Sequence, residues 1–209
     1  MTFEQVQNQV LKLLNQYSVA GTLVAPAYNN QQDYLNRVAS LANDAMMEIS
    51  TTARKIPATL DLSTLTSEDA GDWVRYELPE DFYQFKTGDT LLTTDDGQLL
   101  HTNRYTISGR KYLLVPKREL TDGSSYTITY YRYPKLLSEK PALTDELDNE
   151  PETHYAVPFY VAAFLVIHDD NFLFASFYNK FEDKLAKMGA GVSVETRSVD
   201  DVYDFSMGE

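Results

Sequence analysis

The sequence predicts an α+β fold: a four-helix bundle, two helices N-terminal and two C-terminal, with an inserted antiparallel β domain and an extended C-terminal arm. Three observations carry this prediction. Apolar residues recur every three to four positions through the first 56 residues, then about every second position from Trp73 to Tyr133, then every three to four again as far as Met188. A β-type segment flanked by helical ones reads as an insertion. The expected units are therefore 1–56 with 135–188 as the helical domain, 57–134 as the β domain and 189–209 as the arm.

The first helix is expected near 3–17, where Phe3, Val6, Val10, Leu13 and Tyr17 form one apolar stripe that Gly21 and Pro26 end. The second is expected near 30–54, on Leu35, Val38, Ala42, Ala45 and Ile49, with Asn29 and Asn30 as N-caps and a stop before Pro57. At 1.5 Å per residue it reaches about 36 Å, and its narrow stripe suits packing on its own chain or on copies of it. Between Trp73 and Tyr133, the stretches WVRYEL, TLLTT, QLLH, RYTIS, KYLLV and SYTITYYRY are short and rich in β-branched and aromatic residues. Asp96-Gly97, Ser108-Gly109 and Asp122-Gly123 are the turn dipeptides that a sheet or sandwich needs.

The last two helices are expected near 152–168 and 171–188. Tyr155 to Ile167 is apolar on all sides, which implies burial in a core or an oligomer. Phe174, Phe177, Phe181, Leu185 and Met188 form the stripe of the final helix, with Lys184 and Lys187 in its last turn and Gly189 as its stop.

The acids at the two ends of the apolar helix raise the question of a catalytic or metal site. Asp145, Glu146, Asp148 and Glu150 lack the Asp/Asn spacing and turn glycine of a calcium loop. Their expected role is at a helix start, with Asp148 or Asn149 capping and Pro151 in the first turn, Pro158 bending the helix or marking its true start. His168-Asp169-Asp170 reads as a turn in which Asp170 or Asn171 caps the next helix. His101 and His154 sit in no zinc spacing, and no nucleophile elbow, phosphate loop or H-E-x-x-H motif occurs. The expectation is a non-enzyme without metal or cofactor.

Charge narrows the partners. The 209 residues carry a formal charge of −13, and the surplus of acids lies beyond residue 56. Such a chain lacks the clustered Lys and Arg that hold phosphate or an anionic membrane. Cysteine is absent, which excludes disulfides and thiolate chemistry. No secretory signal opens the chain, and its longest apolar run falls short of the roughly 18–20 residues of a membrane span, so a soluble intracellular protein is expected.

Three stretches then carry a family resemblance: LPEDF at 78–82, TITYYRYP at 127–134, and EPETHYAVPFYVAAFLVIHDD at 150–170. With two helices before them and FASFYNKFEDKLAKM after them, they resemble, over roughly residues 1–188, the head–tail connector or adaptor proteins of tailed bacteriophages. The resemblance implies a structural virion protein, assembled in the host cytoplasm as a homo-oligomeric ring of about twelve copies. Such a ring binds beneath the portal protein, extends the DNA channel and presents a docking surface to a tail, stopper or tail-tube protein. It also implies a C-terminal arm that reaches the portal, for which Val199, Val202, Tyr203, Phe205 and Met207 are the apolar candidates. A lumen that lets DNA slide without specific binding would be acidic, with Asp33, Asp44, Glu48, Asp95 and Asp96 as lining candidates. The alternative is a glycan- or peptide-recognition module. YTITYYRY puts Tyr126 and Tyr130 on one face and Tyr131 and Tyr133 on the other, so one pair must be exposed or covered.

Overall fold

A computed structural model describes residues 1–14, 31–85, 92–94, 99–100, 106–120 and 125–189. Helix α1 (Phe3–Leu13) opens on a capping box, in which the Thr2 hydroxyl accepts from the Gln5 amide and the Gln5 side chain accepts from the Thr2 amide. Helix α2 (Gln31–Glu48) runs on as a π-helical turn over Ile49–Ala53, closed by the Arg54 amide donating to the Ile49 carbonyl at 2.8 Å. The widening has a local cause. The hydroxyls of Ser50 and Thr51 donate to the Met47 carbonyl and that of Thr52 to the Glu48 carbonyl, so side chains compete with the regular ladder.

Strand structure begins earlier than the alternation suggested. β1 (Ile56–Asp61), β2 (Ser67–Ala70), β3 (Trp73–Glu77), β4 (Phe82–Phe85), β5 (Leu92–Thr94), β6 (Leu99–Leu100), β7 (Thr106–Ser108), β8 (Tyr112–Pro116) and β9 (Tyr126–Arg132) pair antiparallel throughout. Among the described residues β1, which carries Pro57, pairs only with β9, an edge where a missing N–H is tolerated. One sheet runs β1-β9-β5-β6, with β4 also on β9; the other runs β2-β3-β8-β7. They share one apolar cluster, in which Leu113 and Val115 of β8 join Phe82, Ile128 and Tyr130 of the first sheet. That is a sandwich. Gly71 (φ 71°) takes the first turn position between β2 and β3, where a β-carbon is disfavoured. The expected Ser108-Gly109 turn joins β7 to β8, with Gly109 and Arg110 both at positive φ. The other two turn dipeptides, Asp96-Gly97 and Asp122-Gly123, lie outside the described residues.

The apolar helix begins later than expected. Residues Pro151–Tyr155 form a 3-10 turn, and α3 (Val157–Val166) starts with Pro158 in its first turn, where a missing N–H costs nothing. Tyr155 therefore stands outside α3 and is 59% exposed. Helix α4 (Asn171–Gly189) extends through Gly189, the expected stop. α3 packs against each of the other three helices. Val6 and Val10, Val38 and Met46, Val161 and Leu165, and Phe181 join one buried cluster drawn from all four. The chain is thus a mixed helical and antiparallel-sheet protein.

Candidate functional site

The three sequence stretches singled out above meet where the helical part joins the sandwich. Asp81 of LPEDF accepts from the Tyr130 hydroxyl at 3.1 Å, and its carbonyl accepts from the Tyr133 amide at 2.7 Å. Phe82 stacks on Tyr130 at 5.7 Å and packs edge-on to Phe85 at 4.8 Å. The pairing of β4 with β9 shifts between Phe82 and Gln84, and the Tyr83 ring lies 5.0 Å from that of Tyr133. Burial, followed by the neighbouring Asp81 carboxylate, pushes the Tyr130 phenol up to about 12.

Arg132, at the end of β9, reaches the third stretch. Its two terminal nitrogens hold both oxygens of Asp148, at 2.5 and 2.9 Å, and the Lys135 amide donates to the same carboxylate at 2.6 Å. The Arg132 hydrogen bond holds Asp148 below its usual carboxylate value. This corrects the expected capping role: Asp148 is an ion-pair partner. Asn149 caps nothing either, since its buried amide donates to the Met46 carbonyl at 3.1 Å, ahead of the π-helical turn. Glu150 and Glu152 both face Arg54, at 3.6 and 3.4 Å. His154 is buried between the Met1 amino nitrogen, 2.6 Å from Nδ1, and the Asn149 carbonyl, 2.9 Å from Nε2. Burial pushes its imidazole below the usual range, opposed by the Asn149 carbonyl. Sequence reasoning read these groups as helix punctuation. The side-chain partners from across the fold, Arg132 16 residues before Asp148 and Met1 153 residues before His154, are ones that no local pattern encodes.

At the other end of α3 the local reading is accurate. The Asp170 carboxylate accepts from the Phe172 and Leu173 amides at 2.9 and 3.0 Å, which caps α4. Among the described residues, no three His, Asp or Glu side chains converge on a point that could hold a metal ion.

Of the lining candidates, Asp33, Asp44 and Glu48 fall on one stripe of α2, separated by eleven and four residues. Asp33 and Asp44 are exposed and Glu48 is half-buried. The stripe borders aromatic rings of the neighbouring helices. Tyr160 lies 4.5 Å from Phe164 and 5.1 Å from Phe181, and Phe174 stacks on Tyr178 at 5.7 Å. Burial, then the Asp44 and Glu48 carboxylates, push the Tyr160 phenol up to about 12. Asp95, Asp96 and the arm candidates Val199, Val202, Tyr203, Phe205 and Met207 lie outside the described residues.

The tyrosine pairs of β9 divide as the alternation requires. Tyr126 and Tyr130 are buried in the sandwich. Tyr131 lies under the Lys55 ammonium at 5.3 Å and Tyr133 against Tyr83, both half-buried by their own chain.

A family model described as SU10 adaptor protein matches residues 1–202. The chain belongs to that family. The match runs through the helices, the sandwich and most of the C-terminal extension, and it agrees with the resemblance to phage head–tail adaptors. The family is a structural one, and its members are virion components. No curated protein matches the sequence. No helix among the described residues is long and apolar enough to cross a membrane.

Proposed function

We propose that this adaptor acts as a ring of about twelve copies that seats beneath the portal, extends the DNA channel and offers its far face to a tail, stopper or tail-tube protein. The observation that carries the reading is the adaptor-family match over residues 1–202. In this reading the four helices form one bundle, and residues 57–134 are an inserted domain projecting from it. A heterologous contact repeated around a closed rotation gives the ring, and the charge of −13 suits a passage through which DNA slides instead of sticking. The α2 stripe of Asp33, Asp44 and Glu48, with Asp95 and Asp96, faces the lumen. Residues 189–209 form an arm that docks on the portal through Tyr203 and Phe205, flanked by Val199, Val202 and Met207. Assembly takes place in the host cytoplasm.

The test is electron microscopy of purified portal mixed with this protein. Added density as a ring on the portal's outer end is expected, and bare portals at saturating protein would overturn the proposal. Deleting 190–209 should abolish attachment to portal-bearing capsids while the remaining fold persists. Reversing Asp33, Asp44 and Glu48 to Lys should slow DNA ejection most at low salt.

A further inference from the structure

The helical and sandwich clusters have no residue in common. The chain crosses between them twice. At the first crossing, Arg54 is bound back to Ile49 on the helical side, while Ile56 is already paired with Arg132 in the sheet, so Lys55 stands between. At the second, the Tyr133 amide is bound to Asp81 in the sandwich. Leu137, three residues beyond Pro134, exchanges hydrogen bonds of 2.8 and 2.9 Å with the Asn43 side chain on α2. Each crossing is thus anchored firmly on both sides with a very short free link. Asp148 belongs to the helical side, since Leu147 before it joins the helical cluster and Asn149 after it bonds to Met46. Arg132 belongs to the sandwich, yet its guanidinium closes on Asp148 in a two-pronged pair.

We propose that the sandwich and the helical part are two bodies hinged at Lys55 and Pro134, and that the Arg132–Asp148 pair is the latch that holds them at one angle. A π-helical turn ends at Ala53, just before the first hinge residue, and such turns recur at functional positions in helices. A polar latch between separate cores lets the angle reset without exposing either core, whereas an apolar seam would not. The device stands whether or not the protein forms a ring.

The test uses the full chain in isolation. Because no cysteine is present, Ser67→Cys on β2 and Asn179→Cys on α4, both exposed, accept spin labels at those positions alone. The distance distribution between the labels should be a single narrow peak. Arg132→Gln or Asp148→Asn should lose that peak to a broad distribution while the circular dichroism of helix and sheet persists. Arg132→Lys, which keeps the charge but not the two-pronged geometry, should fall between. An unchanged narrow peak in both neutral variants overturns the latch. So does joint loss of helix and sheet signals, because the pair would then belong to one cooperative core.

Discussion

The two halves of this protein build their cores from different kinds of sequence. The sandwich cluster comes from one uninterrupted stretch, Leu60 to Tyr130, although pairings as distant as Leu60 with Ile128 and Trp73 with Pro116 close its sheets. The helical cluster joins Phe3–Ile49 to Leu147–Leu185, two stretches separated by the whole sandwich. Their burial differs as well. α3 hides Val157, Val161, Ala162 and Ala163 completely, whereas the edge strands β2 and β7 are exposed along their whole length. The comparison teaches that the sandwich can close its core within one continuous stretch, whereas the helical core must wait for a longer closure that spans the whole sandwich. That closure costs only slowly more with length, so the difference bears on folding order more than on stability.

The sharpest way to break the comparison is Phe181→Ala. Its ring is fully buried against Tyr160 and Tyr178, and its loss should cost about 3–5 kcal/mol, read from the helical circular dichroism signal in urea. Trp73, the single tryptophan, sits on β3 and reports on the sandwich separately. Its fluorescence transition should move less than the helical one. Equal movement would mean that the two halves melt as one unit. The converse substitution, Leu113→Ala in the sandwich, should cost about 2–5 kcal/mol and move the tryptophan transition first.

Between the halves, Asp148→Asn should cost about 1–3 kcal/mol near neutral pH, because it weakens a charge-assisted, partly buried pair. The folded-state value of Asp148 lies below its ordinary 3.8, so its contribution is present above that value and disappears as pH falls through the folded one. Wild type and variant should therefore converge in acid, and a gap that persists there would remove the ion pair as its cause. The smallest effect is expected at Asp170→Ala, about 0.5–2 kcal/mol, the loss of one N-cap at the exposed end of α4. It should leave the tryptophan transition unmoved.

Where a feature depends on neighbours within a few residues, the sequence alone determined it. The change of period from helix to strand and back reflects how side chains alternate along each backbone, and it located four helices and most of the strands. The Asp170 cap follows from a carboxylate placed just before a helix, whatever lies around it. β1, β2 and β4 were missed: Pro57 and the shift at Phe82–Gln84 interrupt the alternation of β1 and β4, where pairing with β9 overrides both, and the wholly exposed SEDA of β2 has no apolar alternation to read. The start of α3 could not be chosen between Pro151 and Pro158, since either proline fits a first turn; the 3-10 turn over the first, with His154 held at Met1 and Asn149, decided it. Asp148, Asn149 and Glu150 look like helix-start residues locally. Only the folded chain brings Arg132, Met46 and Arg54 to them, and a desolvated carboxylate or amide binds the partner that the tertiary structure delivers, not the one nearest in sequence.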